Sequence, residues 1–405
     1  MKALRISRRD LLKTGAGLSL GALAAPAYVR AQSTSLKIGV LQPLTGALAF
    51  DGAQGKIGAD AGFAEVNGAG GVKALGGATL EMIVGDARST PDGGVQEVER
   101  MASEGVVAIV GGFASPICLA ASQAAARYGI PYLVDVGVSD QIVSRGLDNT
   151  FRFAPGFGMV SKQAIANLVT LNDAAGKPAK TVVLVHEDGL FGSGLAKLMQ
   201  AELPKNGFEI LAVIAHPTPA RDMSNIALQI RAKNPDLVIP SNYYGEMVLL
   251  ARTLQQQRIH PKAVYCVLNG AASNYRFVKE FPEAAQYVID CNHWYDPRKE
   301  SAQKLKKTIE ARDAYFTYNV ALNYSNVLLL ADAIERAASA DRQAIMAALA
   351  ASTFAGHIMP YGPTHFVNGQ NMGAAPVNTQ VQDKDIKVIF PTDFADAKPV
   401  FPAPA

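Results

Sequence analysis

One serine in the sequence stands at a position where proteins bind small anions. Residues 106–110 form a continuous apolar run, which predicts a strand buried on both faces. Gly111 and Gly112 follow, then Ser115 at the expected helix N-cap and Pro116 at the first helical position. The hydroxyl and the free N–H groups of this helix start can bind a small anion beside the strand end. Ser115 can equally serve only as the cap of its helix, and both interpretations stay open.

A second cluster of reactive side chains, His186, Glu187 and Asp188, comes at the end of another predicted strand. Such a cluster suggests a metal site or a catalytic triad, but neither an H-E-x-x-H nor a G-x-S-x-G spacing occurs. A strand that ends in a loop explains these three adjacent polar residues without a metal site or a triad. The Gly-x-Gly at residues 15–17 lacks the third glycine of a dinucleotide fingerprint. We therefore predict a protein that is not an enzyme and that has no catalytic residue, metal or cofactor.

The three cysteines are too few to form a disulfide framework in a chain of 405 residues. None has the spacing of metal ligands. Cys118 is predicted to be a small buried residue in a helix. Cys266 and Cys291 each end a strand-like run, and two outcomes stay open: they form a disulfide in an oxidising compartment, or both stay free.

Strand-like and helical segments alternate along the chain, which predicts parallel sheets with helices on both faces. A second series of the same kind begins after residue 155, so we expect two lobes with a cleft between them. Long helices are expected within residues 301–336. The predicted strands are 36–41, 80–84, 106–110, 130–136, 181–186, 210–214, 237–240, 263–268 and 286–291, and the predicted helices include 52–67, 93–103, 195–206, 223–233 and 246–256.

The first 31 residues have the features of an export signal. Residues 7–13 (SRRDLLK) resemble the twin-arginine motif, and residues 14–25 are weakly apolar and too short to span a bilayer stably. Cleavage is expected after Ala31, with Ala27 as the alternative. We expect a periplasmic protein, exported by the twin-arginine route, with no lipid anchor and no insertion into the membrane.

The charge of the chain argues against a nucleic-acid partner. The formal net charge is +3, but six basic residues and one acidic residue give the leader +5, which leaves −2 for the mature chain. No basic stripe is present either. With 49% hydrophobic residues, the chain can form two domains with their own cores.

Five short motifs occur in a characteristic order along the mature chain. They are residues 38–46 (IGVLQPLTG), 65–72 (EVNGAGGV), 84–91 (VGDARSTP), 110–115 with 129–131, and 188–194 (DGLFGSG). In order and spacing they resemble the type I periplasmic solute-binding proteins of the leucine/isoleucine/valine-binding kind. That family captures small solutes for ABC importers.

The resemblance implies an α/β fold with two Rossmann-like lobes joined by three crossovers, which close on a ligand in the cleft between them. Lobe 1 would comprise residues 36–155 and 296–360, and lobe 2 residues 156–292 and 361–396, with an irregular tail at 397–405. The implied partners are a small-molecule ligand and the permease and ATPase of an ABC transporter. The protein itself is expected to be a monomer.

The resemblance also implies a set of ligand contacts. Ser115 matches the serine that holds the ligand carboxylate. Val136 and Val138 lie in the loop that offers a carbonyl to an ammonium and donors to the carboxylate. A threonine is common at the position of Val138, and Ser139 is the neighbouring hydroxyl that would replace it. The matching aromatic residues are Phe50, Phe191 and Tyr243.

Asn269 is the main departure from the family pattern. Amino-acid binders usually have a glutamate there to pair with the α-ammonium, and a neutral amide cannot supply that charge. Three outcomes remain: Asp135 or Glu187 supplies the charge, the ligand has no ammonium, or the alignment is shifted. Asp135 either faces the cleft or caps a turn.

The resemblance favours a branched-chain or other hydrophobic amino acid as ligand. Aromatic carboxylates or amides are an alternative, since aromatic side chains in the cleft suit a ring. A ligand-sensing module that presents its closed form to a receptor is a further alternative.

Overall fold

The computed structural model describes residues 35–393 and 395–404, so the predicted signal at residues 1–31 lies outside the described residues. The strands of this part, in chain order, are β1 (Leu36–Gln42), β2 (Leu80–Asp86), β3 (Ala108–Gly111), β4 (Tyr132–Val134), β5 (Thr150–Arg152), β6 (Thr181–Glu187), β7 (Glu209–His216), β8 (Leu237–Ser241), β9 (Ala263–Val267), β10 (Ile289–Asn292), β11 (Phe366–Val367), β12 (Gln370–Asn371), β13 (Val377–Gln382) and β14 (Asp385–Phe390).

Helices connect most of these strands. They are α1 (Ala49–Gly68), α2 (Pro91–Ser103), α3 (Ser115–Arg127), α4 (Phe157–Ala174), α5 (Leu190–Glu202), α6 (Ser224–Lys233), α7 (Tyr244–Gln256), α8 (Tyr275–Glu280), α9 (Pro282–Ala285), α10 (Glu300–Glu310), α11 (Tyr318–Ala337) and α12 (Arg342–Ala350). No helix of the described residues is both long enough and apolar enough to cross a membrane.

The strands form two seven-stranded sheets, and each sheet is the centre of one α/β lobe. The first has the order β11-β12-β5-β4-β3-β1-β2 and the second β14-β13-β10-β9-β8-β6-β7. Strands β1 to β5 pair in parallel, and so do β6 to β10, while β11/β12, β10/β13 and β13/β14 are antiparallel pairs. The predicted fold class is confirmed.

The chain passes between the sheets three times: after β5, after β10 and after β12. One predicted boundary needs correction. Residues 361–396 were expected in lobe 2, but β11 and β12 belong to the first sheet, where Gln370 pairs with Arg152. Strands of two residues have no hydrophobic period that a sequence pattern can detect. The described tail, residues 395–404, forms no helix or strand and bonds to the second lobe, for example from Ala403 N–H to the Lys262 carbonyl.

Helices α1 and α11 pack backbone to backbone in the first lobe. A Cβ atom on Gly58 would lie 2.3 Å from the Val320 carbonyl oxygen, and one on Gly62 would lie 2.7 Å from the Val327 side chain. No residue larger than glycine fits there without movement. This close packing fixes the start of α11, which lies beside the cleft.

Two further predictions meet the structure at single residues. Ser115 is not an N-cap: α3 begins at Ser115 itself, and Ala114 precedes it without a side-chain cap. The three cysteines are free and buried. Cys266 pairs with Asp290 and Cys291 with Val267 in neighbouring strands, so the two thiols are one position out of register and point to opposite faces of the sheet.

Candidate ligand-binding cleft

A cavity of about 30 Å³ lies where the carboxyl ends of the two sheets face each other. Its walls come from the segments after β3 and β4 in one lobe, from those after β6, β8, β9 and β10 in the other, and from the start of α11. This is the place where open parallel sheets bind ligands. The lining residues are Phe113, Ala114, Ser115, Val136, Val138, Phe191, Asn242, Tyr243, Leu268, Gly270, Asn292, His293 and Tyr318.

The first-lobe wall depends on a strained turn after β3. Gly111, Gly112 and Phe113 all have positive φ, 118°, 109° and 55°, and this conformation is costly for phenylalanine. Asp135 holds the turn: its Oδ1 accepts the N–H groups of Phe113 at 2.8 Å and Val136 at 2.7 Å. The turn in this way presents the Phe113 ring and the start of α3 to the cavity.

Ser115 lies at the meeting point of the two first-lobe loops. It is 1% exposed, and its Oγ accepts the N–H of Ser139 at 3.1 Å. No acceptor for its hydroxyl proton is present among the described residues. That proton and the unpaired N–H groups of the first turn of α3 are donors at the cavity edge, which is the arrangement that a carboxylate needs.

The second-lobe wall repeats this design. Leu268 after β9 also has a positive φ of 53°, and its N–H donates to the Cys291 carbonyl at 2.9 Å. Asp290 is fully buried and accepts from Ser273 Oγ at 2.8 Å, Asn292 Nδ2 at 3.0 Å and the Asn269 N–H at 3.3 Å. Burial raises the pKa of Asp290 to about 7, against the lowering effect of these donors. A buried aspartate thus supports a loop that lines the cavity in each lobe.

His293 is the most unusual polar residue of the cavity. It is fully buried, and neither ring nitrogen has a hydrogen-bond partner in the described structure. Burial, and next the charge of Arg152, lower its pKa to about 3, so the imidazole is neutral at ordinary pH. Arg152 is itself buried and donates to the Ser139 carbonyl at 2.7 Å and to Asp140 at 2.9 Å. A fixed positive charge therefore lies close to the cavity.

Aromatic rings meet across the boundary between the lobes. The Tyr243 ring of the second lobe lies 5.8 Å from the Phe113 ring of the first lobe and 5.4 Å from Phe191 in its own lobe. Beside the cavity, Phe50 of α1 packs on Tyr244 of α7 with 4.5 Å between ring centroids. Because these ring contacts cross the boundary, the two lobes are closed on each other in this structure.

Five of the predicted contact residues line the cavity: Ser115, Val136, Val138, Phe191 and Tyr243. Ser139 is buried beside it; its N–H bonds to Ser115, and its own Oγ has no partner. Phe50 does not line the cavity and instead packs on Tyr244 at the boundary between the lobes.

The remaining polar predictions, Asp135 and Asn269, serve the loops and do not line the cavity. The second oxygen of Asp135 accepts from Gln42 at 2.8 Å and Asn323 at 3.1 Å. The Asn269 Oδ1 accepts the N–H groups of Ala271 and Ala272, and its Nδ2 donates to Asn242 at 3.3 Å. Glu187, the other proposed source of charge, accepts the N–H groups of Gly189 and Gly192 at the start of α5 and does not line the cavity either.

The sequence interpretation missed several lining residues, above all Phe113, Asn242, His293 and Tyr318. Asn242 and His293 each lie two residues after the end of a predicted strand, and that position was an available signal. It cannot tell which side chain at a strand end turns into the cleft. Among the described residues, no group of three or more histidine, cysteine, aspartate or glutamate side chains is arranged to hold a metal ion.

Comparison with known proteins agrees with this geometry. The chain is 27% identical over 395 residues to the Leu/Ile/Val-binding protein homolog 7 of Brucella abortus, covering 92% of this chain and 95% of that protein. It shares its fold with the branched-chain amino acid substrate-binding protein LivJ of Streptococcus pneumoniae, solved with isoleucine (TM-score 0.74, 20% identity, 87% and 98% covered). The chain has the same fold, at the same TM-score, as a solute-binding protein of R. palustris that was solved with 4-hydroxybenzoate (TM-score 0.74, 17% identity, 87% of this chain and 95% of that chain covered).

Residues 35–385 match the sequence profile of a family described as periplasmic binding protein. Members of this family are extracytoplasmic solute-binding proteins that work with ABC transporters, and the family is not one of enzymes. The predicted recognition and the predicted solute-binding role are therefore confirmed. With its two α/β lobes and a cavity at the facing strand ends, this chain belongs to the periplasmic binding protein family.

Proposed function

We propose that this protein captures a small hydrophobic carboxylate by closure of its two lobes and delivers it to an ABC permease. A branched-chain amino acid is the first candidate. The observation that carries the proposal is the position of Ser115: its free hydroxyl proton and the start of α3 lie at the edge of a cavity whose other walls are mostly apolar and come from both lobes.

The carboxylate end of the ligand is assigned to the first lobe. A carboxylate there would accept from the Ser115 hydroxyl and from the N–H groups of the first turn of α3, and the helix dipole favours a negative charge at that end. The buried guanidinium of Arg152 adds a positive potential in the same region. Among the described residues that line the cavity, none carries a carboxylate that would oppose an anion.

The apolar end of the ligand is assigned to the aromatic and aliphatic side chains of both lobes. Val136, Val138 and Phe113 form the first-lobe part, and Phe191 and Leu268 the second-lobe part. Such a lining accepts a branched aliphatic side chain or an aromatic ring. The relatives support both classes, since one solved relative holds isoleucine and another 4-hydroxybenzoate.

A ligand that contacts both lobes stabilises the closed form, because it makes both sets of contacts only there. The closed protein would then dock on its permease as a monomer. Export by the twin-arginine route, which rests on residues 7–13, completes the proposal.

The test is a thermal-shift and calorimetric screen with branched-chain and aromatic amino acids, benzoate-type and cinnamate-type acids, and short amides. A ligand at 100 times its Kd adds about 2.7 kcal/mol to the stability of the folded protein. Ser115→Ala should then weaken the tightest carboxylate ligand by roughly 1.5–3 kcal/mol, the size of a hydrogen bond to a charged group.

The matched control is Ser193→Ala, an exposed serine in the first turn of α5 whose hydroxyl donates to the Asp188 carbonyl. It should leave the affinity unchanged. Equal affinities of the wild type and the Ser115→Ala variant would remove the role assigned to Ser115. Binding of amides alone would replace the carboxylate by a neutral ligand.

A further inference from the structure

Three buried carboxyl and amide side chains of α1 and α11, beside the boundary between the lobes, carry oxygen atoms that accept no hydrogen bond from the described residues. They are Asp51 Oδ1 and Gln54 Oε1 on α1 and Asn319 Oδ1 on α11. Their residues are 3%, 6% and 1% exposed. Buried acceptors are nearly always paired, because an unpaired one loses its bonds to water. Three of them in one place indicate a binding site for a group that carries only donors. We call these residues the acceptor cluster.

The acceptor cluster is continuous and adjoins the cavity. Asp51 and Gln54 are three residues apart and lie on one face of α1. Asn319 Nδ2 is 3.4 Å from the Asp51 carbonyl oxygen. Asn319 follows Tyr318, which lines the cavity. Burial raises the pKa of Tyr318 most and the charge of Asp51 next, while the pKa of Tyr243 is raised by burial, then by Glu187 and then by Asp51.

The acceptor cluster has a negative partner on the other lobe. Glu246 is 4% exposed on the first turn of α7, and it accepts the Ala220 N–H at 3.1 Å. Burial, and next the charge of Glu246, raise the pKa of Asp51 well above its usual value. Arg276 lies nearby over the Phe50 ring but bonds to Glu280. Two carboxylates therefore face a closed boundary without a cation bonded to either of them in the described structure.

The other acids near the cleft cannot take this role. Both oxygens of Asp135 and both oxygens of Glu187 accept hydrogen bonds inside their own lobes. Asn269, which stands where the family usually has a glutamate, is equally occupied. Among the described residues, Asp51 carries the only buried carboxylate oxygen without a hydrogen-bond partner.

We propose that the acceptor cluster binds a cationic ammonium group of the solute, with Asp51 as its counter-charge, so that the solute is an amino acid and not a simple carboxylic acid. An ammonium has three N–H donors, which match the three unpaired oxygens. Its positive charge also offsets the repulsion between Asp51 and Glu246 when the lobes close. This inference rests on the proposed function, which it deepens by naming the second charged group of the ligand.

The test uses two series of three compounds, measured by calorimetry on the purified protein. One series is leucine, 4-methylpentanoate and 3-methylbutylamine; the other is phenylalanine, 3-phenylpropanoate and 2-phenylethylamine. Each series contains the amino acid, the same skeleton without its ammonium, and the same skeleton without its carboxylate. The variants are Asp51→Asn and, as control, Asp60→Asn, which removes the same charge from the solvent side of α1, where Asp60 pairs with Lys56.

In at least one series the wild type should bind the amino acid more than tenfold tighter than the ammonium-free acid. The Asp51→Asn variant should bind the amino acid and the amine at least tenfold more weakly than the wild type, and its affinity for the acid should stay within twofold. The Asp60→Asn variant should bind all three compounds as the wild type does. The ligand-free Asp51→Asn protein should melt no lower than the wild type, because the variant removes a buried carboxyl whose charged form is already disfavoured by burial and by Glu246. A purely structural role of Asp51 would lower that melting temperature instead.

Unchanged amino-acid affinity in Asp51→Asn, or tighter binding of the acid than of the amino acid, would overturn the inference and leave the carboxylate role of Ser115 intact. An amine bound as tightly as its amino acid, with loss in Asp51→Asn, would overturn the proposed carboxylate ligand and keep the acceptor cluster. Failure of all six compounds would overturn both. If Asp51→Asn does not fold, Glu246→Gln should weaken the amino acid and the amine severalfold and spare the acid; an equal effect on all three would contradict the inference.

Discussion

His293 is a buried side chain of the cavity whose polar atoms are available to a ligand. A fully buried imidazole with two unpaired nitrogens contributes nothing to the hydrogen bonding of the fold. With a pKa of about 3 it stays neutral, so one nitrogen donates and the other accepts. It can therefore bind a polar ligand atom without adding charge to the cavity.

We expect His293→Leu to weaken ligand binding by about twofold to tenfold, since one hydrogen bond contributes about 0.5–1.5 kcal/mol. Stability without ligand should be equal or higher, because an apolar side chain of similar size replaces two unpaired polar atoms. Calorimetry and thermal melting of the same preparation measure both effects. A large drop in the melting temperature with unchanged affinity would assign His293 to the core instead.

Asp135 and Asn269 explain why polar residues at strand ends are difficult to interpret from sequence. From the sequence, Asp135 either faces the cleft or caps a turn, and Asn269 occupies the position matched to the family's glutamate. In the structure both accept backbone N–H groups of loops. Asp51 was not singled out: it directly precedes the predicted helix 52–67, where an aspartate is ordinarily explained as a helix cap. Only the hydrogen-bond partners distinguish these cases, and those depend on the tertiary structure.

The loops after β3 and β9, which line the cavity from the two lobes, are supported in the same way. A buried aspartate beneath each loop accepts a backbone N–H, Asp135 after β4 and Asp290 in β10. Asp290 has no cationic partner in these contacts, and burial raises its pKa to about 7. The stability of the second lobe should therefore depend on pH.

The direction of this pH dependence follows from the number of protons bound by the folded and unfolded chains. Between the unfolded pKa of about 4 and the folded pKa of about 7, folded Asp290 keeps a proton that the unfolded chain loses. Its contribution to stability is thus fully present below pH 4 and is lost as the pH rises to 7. At about 1.4 kcal/mol for each pKa unit, the loss amounts to a few kcal/mol.

The Asp290→Asn variant has no carboxyl at this position to titrate. Its melting temperature relative to that of the wild type should therefore rise from pH 5 to pH 7.5, and this difference should stay constant at higher pH. Thermal melts of both proteins across that range provide the measurement, and other groups cancel in the difference. A difference that does not vary with pH would mean that Asp290 is ionised throughout.

Element order was predictable because apolar strands and amphipathic helices alternate with clear turns. The predicted strand 181–186 and helix 246–256 lie within two residues of β6 and α7. The exact start of α3 was not predictable, because a serine before a proline fits the N-cap and the first helical position equally well. Strands β11 and β12 are too short to show a period, and only their pairing with Arg152 through Gln370 defines them.

For the whole molecule, closure depends on contacts that span the boundary. Phe50 packs on Tyr244 in a tilted arrangement, Phe113 lies against Tyr243, and the charge of Glu246 acts on Asp51 after the larger effect of burial. The aromatic pairs favour the closed form, and the two acids oppose it until a cation lies between them. We infer that this balance makes closure depend on the ligand, as a carrier for a transporter requires.

The most direct test of this account is a crystal structure of the protein with its tightest ligand from the screen. We expect the ligand between the lobes, with a carboxylate oxygen about 3 Å from Ser115 Oγ and its apolar group against Phe191 and Val138. A ligand that contacts one lobe only, or whose carboxylate points away from α3, would contradict capture by closure around Ser115.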